Sequence, residues 1–238
     1  MTKDQNIQIE ASEDSQGMAA RVHEFTNEKD FWLGVQAATG QVFEKVQDPF
    51  IAASGGSAAQ IFDYLEDDVL KESTVCLVDE RCVPFDHEDS NAKLIALKVA
   101  KKVQQMCPFD TTLPPDEAAD KYEEALRERL AIEGYLFDLT VLGVGPDGHT
   151  ASLFPNTPAL KEEDFLVTIT ETDVFAVKER LTLTFPGIEL SQRIVVLMIG
   201  ANKEEIFNTI IDEDTDPNQF PARRLMDWPQ VDVFFGNF

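Results

Sequence analysis

The residues with the most chemical potential lie in one turn, Gly143-Val144-Gly145-Pro146-Asp147-Gly148-His149, which closes the mostly apolar run at 137–142. His149 is one of three histidines in 238 residues. Its imidazole can take a proton near neutral pH, from water or a substrate hydroxyl, with Asp147 or a backbone carbonyl orienting the ring. A lone histidine is more often a hydrogen-bonded structural residue. Here, however, it follows a buried strand and a Gly-Pro-Asp-Gly turn, and ligands bind at the carboxyl ends of strands in open α/β sheets.

Two more strand ends carry polar punctuation. Ser54-Gly55-Gly56-Ser57 stands between an apolar run and a helical pattern. Its glycines let backbone N–H groups approach a ligand, and the helix start favours an anion such as phosphate. A tight turn with a capped helix is the plainer reading. Ser57 and Gln60 have capping-box spacing, which puts Ser57 at the helix start. The second cluster is Asp79-Glu80-Arg81, with Ser90 and Asn91 downstream. Arg81 can grip a phosphate or an oxyanion through its fork of donors; otherwise the triplet is a solvated turn or a local ion pair.

Other chemistries lack their signatures. No Gly-Lys-Ser/Thr follows the glycines as a Walker loop needs. No Gly-x-Ser-x-Gly elbow exists, and Ser152 is only three residues from His149. The histidines and the three cysteines (Cys76, Cys82, Cys107) show no metal-ligand spacing, so no metal is expected. The cysteines read as reduced or buried thiols of a cytoplasmic protein.

The elements that must position these residues follow from periodicity. Strands are predicted at 6–11 (an edge), 49–53, 74–78, 137–142, 165–170, 181–185, 193–200 and 231–235. Helices are predicted at 30–46, after Ser57, at 91–103, at 116–130 with Gly134 as its stop, and at 203–211. Alternating strands and helices mean a largely parallel sheet covered on both faces. One α/β domain over residues 1–238 is expected.

The formal charge of −24 argues against nucleic acid, which requires a basic footprint. It also means that an anionic substrate would need locally concentrated arginine or lysine. The longest apolar runs are far too short to cross a bilayer, and residues 1–6 do not open a secretory signal.

Taken together, the three loops resemble the 6-phosphogluconolactonase family. The matching segments, in the family's order, are Ser54-Gly55-Gly56-Ser57, 79–84 with 89–91, 142–155, Arg180-Leu181-Thr182-Leu183-Thr184 and Gly200-Ala201-Asn202-Lys203. The resemblance implies a Rossmann-like α/β fold and no metal or organic cofactor. The implied substrate is a phosphorylated sugar lactone, 6-phospho-D-glucono-1,5-lactone, opened to 6-phosphogluconate. It makes His149 the base that activates water, and Arg180 and Lys203 phosphate-side cations. Arg81 and the N–H groups of Gly55 and Gly56 become candidate oxyanion donors, with Asp79 beside them. The rivals are an amino-sugar phosphate deaminase or isomerase of the same superfamily, and a non-catalytic sugar-phosphate sensor. The sequence does not indicate the oligomeric state.

Overall fold

The computed structural model describes residues 18–44, 46–99 and 101–238; the edge strand expected at 6–11 lies outside them. Among the described residues, ten strands form two sheets. The large one runs β1 (Arg21–Phe25), β10 (Val231–Gly236), β9 (Ile194–Ile199), β6 (Leu139–Gly143), β2 (Phe50–Ala53), β3 (Thr74–Leu77), β5 (Gln105–Cys107), all parallel. The small sheet is antiparallel, with β8 (Glu179–Leu183) between β4 (Asp79–Arg81) and β7 (Val167–Glu171). Six α-helices are described: α1 (Glu28–Phe43), α2 (Asp67–Glu72), α3 (Asn91–Val99), α4 (Pro115–Glu133), α5 (Phe185–Glu189) and α6 (Glu204–Ile211).

The central strands are buried on both faces, which is why β9 reads Ile-Val-Val-Leu-Met-Ile without alternation. One contiguous apolar core joins the sheet to its helices. Helix α1 packs on β1 and β10, and α4 on β7 and β8. From β2 the sheet grows outward through β3 to β5; from β6 it grows the other way through β9 to β10. The strand order therefore reverses between β2 and β6. Their carboxyl ends frame the crevice where such sheets bind ligands. No helix among the described residues is long and apolar enough to cross a membrane.

Several boundaries differ from expectation for local reasons. Helix α1 ends at Phe43 and α3 at Val99, because the chain then turns into β2 and β5. The strand predicted at 181–185 runs from Glu179 to Leu183; Thr184 instead caps α5 by accepting from Gly187 N. Gly134 ends α4 as expected, at φ 78°, where glycine is favoured. The segment after Ser54 is a 3-10 helix (Gly56–Asp63) flanked by Gly55, with no side-chain cap. Ser57 is thus inside the helix and the capping box does not form.

Candidate active site

β2 ends against the turn Ser54-Gly55-Gly56, held in register where Ser54 N donates to Val141 O (2.9 Å). Gly55 cannot be replaced freely, since a Cβ there would stand 2.0 Å from Asn91 Oδ1. Gly56 adopts φ 60°. The uncapped start of the 3-10 helix has N–H groups lacking intrahelical partners, and Gly55, Gly56 and Ser57 all line a cavity of about 230 Å³. The Ser54 hydroxyl is buried on the same wall without a protein partner.

Asp79-Glu80-Arg81 is not a solvated turn but β4, and it is largely buried. Alternation along the strand assigns the side chains different tasks. The Asp79 carboxylate accepts from the Ser152 hydroxyl at 2.7 Å. Glu80 accepts from the N–H groups of Arg81, Asn91 and Ala92, each at 2.7 Å, and from the Ser90 hydroxyl. It thereby caps α3 and ties that helix to the strand. Burial lifts the Glu80 carboxyl above its ordinary value, against the pull of those N–H donors.

Arg81 pairs directly across the strands with Arg180 of β8. Like charges at opposed positions repel. Burial first, and then the Arg81 charge, lower the pKa of Arg180. Arg81 Nη1 donates to Asp89 O (2.5 Å), and Arg180 Nε donates to Val177 O (2.9 Å). These contacts place the two guanidiniums without supplying a neutralising carboxylate, and Arg81 Nε is buried without a partner. Both arginines line the cavity, which suits an anionic ligand.

β6 delivers the third wall. After Gly143 the chain closes a tight turn, with Gly145 N donating to His149 O (2.8 Å) and Gly148 at φ 79°. His149 Nδ1 is 2.5 Å from Asp147 Oδ1. Burial opposes ionisation of Asp147, but the hydrogen bond and charge of His149 outweigh it and hold the carboxyl below its ordinary value. An ionised carboxylate only accepts, so Nδ1 carries the proton. Nε2 of the neutral ring is then the acceptor available for chemistry. The ring rests on Phe154 and Phe175, centroids 4.8 and 5.5 Å away.

Gly145 makes that seat possible, because a Cβ there would fall 2.1 Å from both His149 Cε1 and Nδ1. Gly145→Ala is expected to displace the imidazole and lower turnover at least about 10-fold, at an overpacking cost of about 1–3 kcal/mol. Activity alongside the thermal midpoint checks this; full activity in the variant would contradict it. Ala151, just beyond, holds φ 53°, a left-handed backbone that is costly for a residue with a Cβ. Pinned there by Ser152 N donating to Thr182 Oγ1, the loop faces the cavity.

The structure thus gathers Ser54, Gly55, Gly56, Ser57, Asp79, Arg81, Arg180 and His149 around one cavity, with Asp147 behind the imidazole. Lys203 stands apart from this wall. Its ammonium donates to Val144 O (2.7 Å) and buttresses the turn that carries His149. Sequence reasoning missed Phe154 and Phe175, and weighed Ser152 only as a nucleophile. Ser152 instead serves Asp79. Among the described residues no group of three His, Cys, Asp or Glu side chains is placed to hold a metal ion.

Residues 32–235 match the family described as glucosamine-6-phosphate isomerases/6-phosphogluconolactonase. The chain belongs to this family. Among curated family members, the 6-phosphogluconolactonase of Synechocystis is 34% identical over 207 residues, 83% of this chain and 84% of that protein. The 6-phosphogluconolactonase of Bos taurus is 35% identical over 154 residues, 63% of this chain and 59% of its own length. The crystal structure of the Thermotoga maritima 6-phosphogluconolactonase superposes with a TM-score of 0.74 at 25% identity, covering 91% of this chain and 99% of that one. A 6-phosphogluconolactonase from Shewanella baltica, at 22% identity and TM-score 0.76, shares the fold. Family membership therefore agrees with the mixed α/β architecture.

Proposed function

We propose that this chain hydrolyses 6-phospho-D-glucono-1,5-lactone to 6-phosphogluconate, with His149 as general base. The observation that carries this reading is one cavity holding both an Asp147-oriented imidazole and the opposed pair Arg81 and Arg180. His149 Nε2 removes a proton from water as the water attacks the lactone carbonyl. Negative charge then develops on the carbonyl oxygen. Arg81 and the N–H groups at Gly55 and Gly56 are the donors for it. Collapse of the tetrahedral intermediate breaks the ring C–O bond, and the imidazolium returns the proton to the departing ring oxygen. Asp147 stabilises the imidazolium while it exists.

Arg180 takes the phosphate. Its guanidinium is buried, lies near the Phe154 and Phe175 rings, and provides local positive charge within a protein of net charge −24. Arg180→Ala is expected to raise KM about 10–100-fold, the equivalent of losing one charge-assisted hydrogen bond of about 1.5–3 kcal/mol, with a smaller change in kcat. An unchanged KM would remove Arg180 from the phosphate site.

The deciding assay offers the purified chain freshly made phosphogluconolactone and, separately, glucosamine 6-phosphate. Lactone opening well above the spontaneous rate, without ammonia release, is expected. Ammonia from the amino sugar would support a deaminase instead. Tight binding of the lactone without acceleration would identify a sensor.

A further inference from the structure

Two free cysteines lie side by side away from the cavity, at the far edge of the large sheet. Cys76 of β3 and Cys107 of β5 are register partners on adjacent parallel strands, and both are free thiols. Neighbouring strands run about 4.8 Å apart, within the roughly 4.4–6.8 Å Cα separation that a disulfide spans. Their environments differ. Cys76 is fully buried, whereas Cys107 is partly exposed and lines a separate cavity of about 400 Å³ beside Phe85, Phe109 and Lys121. A small oxidant can therefore reach one sulfur and not the other.

We infer that Cys107 and Cys76 form a peroxide-sensitive thiol pair, with Cys107 attacked first and Cys76 resolving it into a disulfide. The Cys107 thiolate attacks a hydroperoxide; an S–O bond forms, the O–O bond breaks, and the leaving oxygen takes a proton to depart as water or alcohol. The Cys76 sulfur then attacks the sulfenic acid. An S–S bond forms, the S–O bond breaks, and hydroxide leaves as water with the Cys76 proton. Two thiols are oxidised by two electrons and one peroxide is reduced.

The division of labour matches the local chemistry. A hydrogen bond from Cys76 favours the Cys107 thiolate against the opposing effect of burial, and the thiolate is the nucleophilic form. Burial, aided by the Cys107 contact, drives the Cys76 thiol up, so it is unreactive until a sulfenic acid forms beside it. Cys82 is no competitor, since burial and the charges of Glu179 and Glu80 push it up to about 12.

The three cysteines fall in three different tryptic peptides, so mapping is direct. Treating the native chain with stoichiometric hydrogen peroxide, blocking free thiols and digesting should yield peptide 72–81 linked to peptide 103–121. The thiol titre should drop from three to one and be restored by dithiothreitol. In Cys76→Ser, dimedone should label Cys107; in Cys107→Ser, Cys76 should stay reduced. Three persisting thiols in the native chain would overturn the inference, as would a link to Cys82, or Cys107 passing to sulfinic acid beside a free Cys76. Because the readout is covalent, it is independent of the catalytic proposal.

Discussion

His149→Asn should lower kcat for lactone hydrolysis by about 10²–10⁴-fold, the usual contribution of a positioned general base, while KM shifts only a few-fold. The split follows from the site's construction. Asp147 fixes the imidazole from behind, and Arg81 and Arg180 line the cavity from the small sheet. Deleting the ring would therefore remove the proposed proton acceptor and leave both guanidiniums in place. The rate must be read as acceleration over spontaneous opening. Parent-level acceleration in the variant would end the general-base assignment. Asp147→Asn makes the companion test, because an amide can turn its NH₂ towards Nδ1 and favour the wrong tautomer. A smaller loss in kcat is expected there.

The largest effect on stability is expected at the other end of the sheet, at Asp232. This carboxylate is buried in β10, 2.8 Å from both Arg21 Nε and His23 Nε2, with Arg193 Nε at 2.6 Å. It stitches β1 to β10 through side chains as well as backbone. Removing one member of a buried ionic cluster costs about 3–5 kcal/mol. Arg21 and Arg193 reach solvent, so about 3 kcal/mol is expected for Asp232→Ala, or about 6–12 °C in thermal midpoint for a chain this size.

The cost depends on pH in a defined direction. Burial opposes ionisation of Asp232, but His23, Arg21 and Arg193 outweigh it and lower the pKa. The carboxylate thus stabilises the fold fully above its unfolded pKa of about 3.9, and this contribution fades as pH falls through the lower folded value. Parent and variant melting curves should lie far apart at pH 7 and converge below about pH 4. A constant gap down to pH 3 would mean that the loss comes from packing rather than charge.

These features were unequally legible in the sequence. The turn that carries His149 was visible because everything that forms it is contiguous: β6, the glycines, Asp147 and His149. The parallel sheet was visible because buried strands leave uninterrupted apolar runs, as in β9. The small sheet was visible only in part: β7 and β8 overlap the strands expected at 165–170 and 181–185, but β4 was not expected. β4 is three residues, two of them acidic and one basic, and its partner β8 is a hundred positions away. A charged triplet gains strand character only from that pairing. The polar edge strands β1 and β5 went unpredicted for the same reason.

Motif spacing singled out the glycines and Arg81, which line the cavity, but could not anticipate Phe175. It lies in the turn between β7 and β8, and only the fold brings it to His149. Lys203 shows the converse. Its motif was evident, yet its ammonium supports the Val144 carbonyl rather than lining the cavity. Ser57 had capping-box spacing but lies inside a 3-10 turn, where Gly55 must stay small beside Asn91.

The place of β1 in the large sheet constrains how the molecule is assembled. β1 is the first described strand, and among the described residues its sole strand partner is β10, the last, which itself must rest on β9. During synthesis, then, Arg21–Phe25 emerges early and waits for nearly all the remaining chain before it can dock. The ladder closes only when Val231–Gly236 slides between β9 and β1 and brings Asp232 to Arg21 and His23. Such a long-range closure is slow compared with local contacts. A chain truncated before β10 would therefore lose both ends of its fold together.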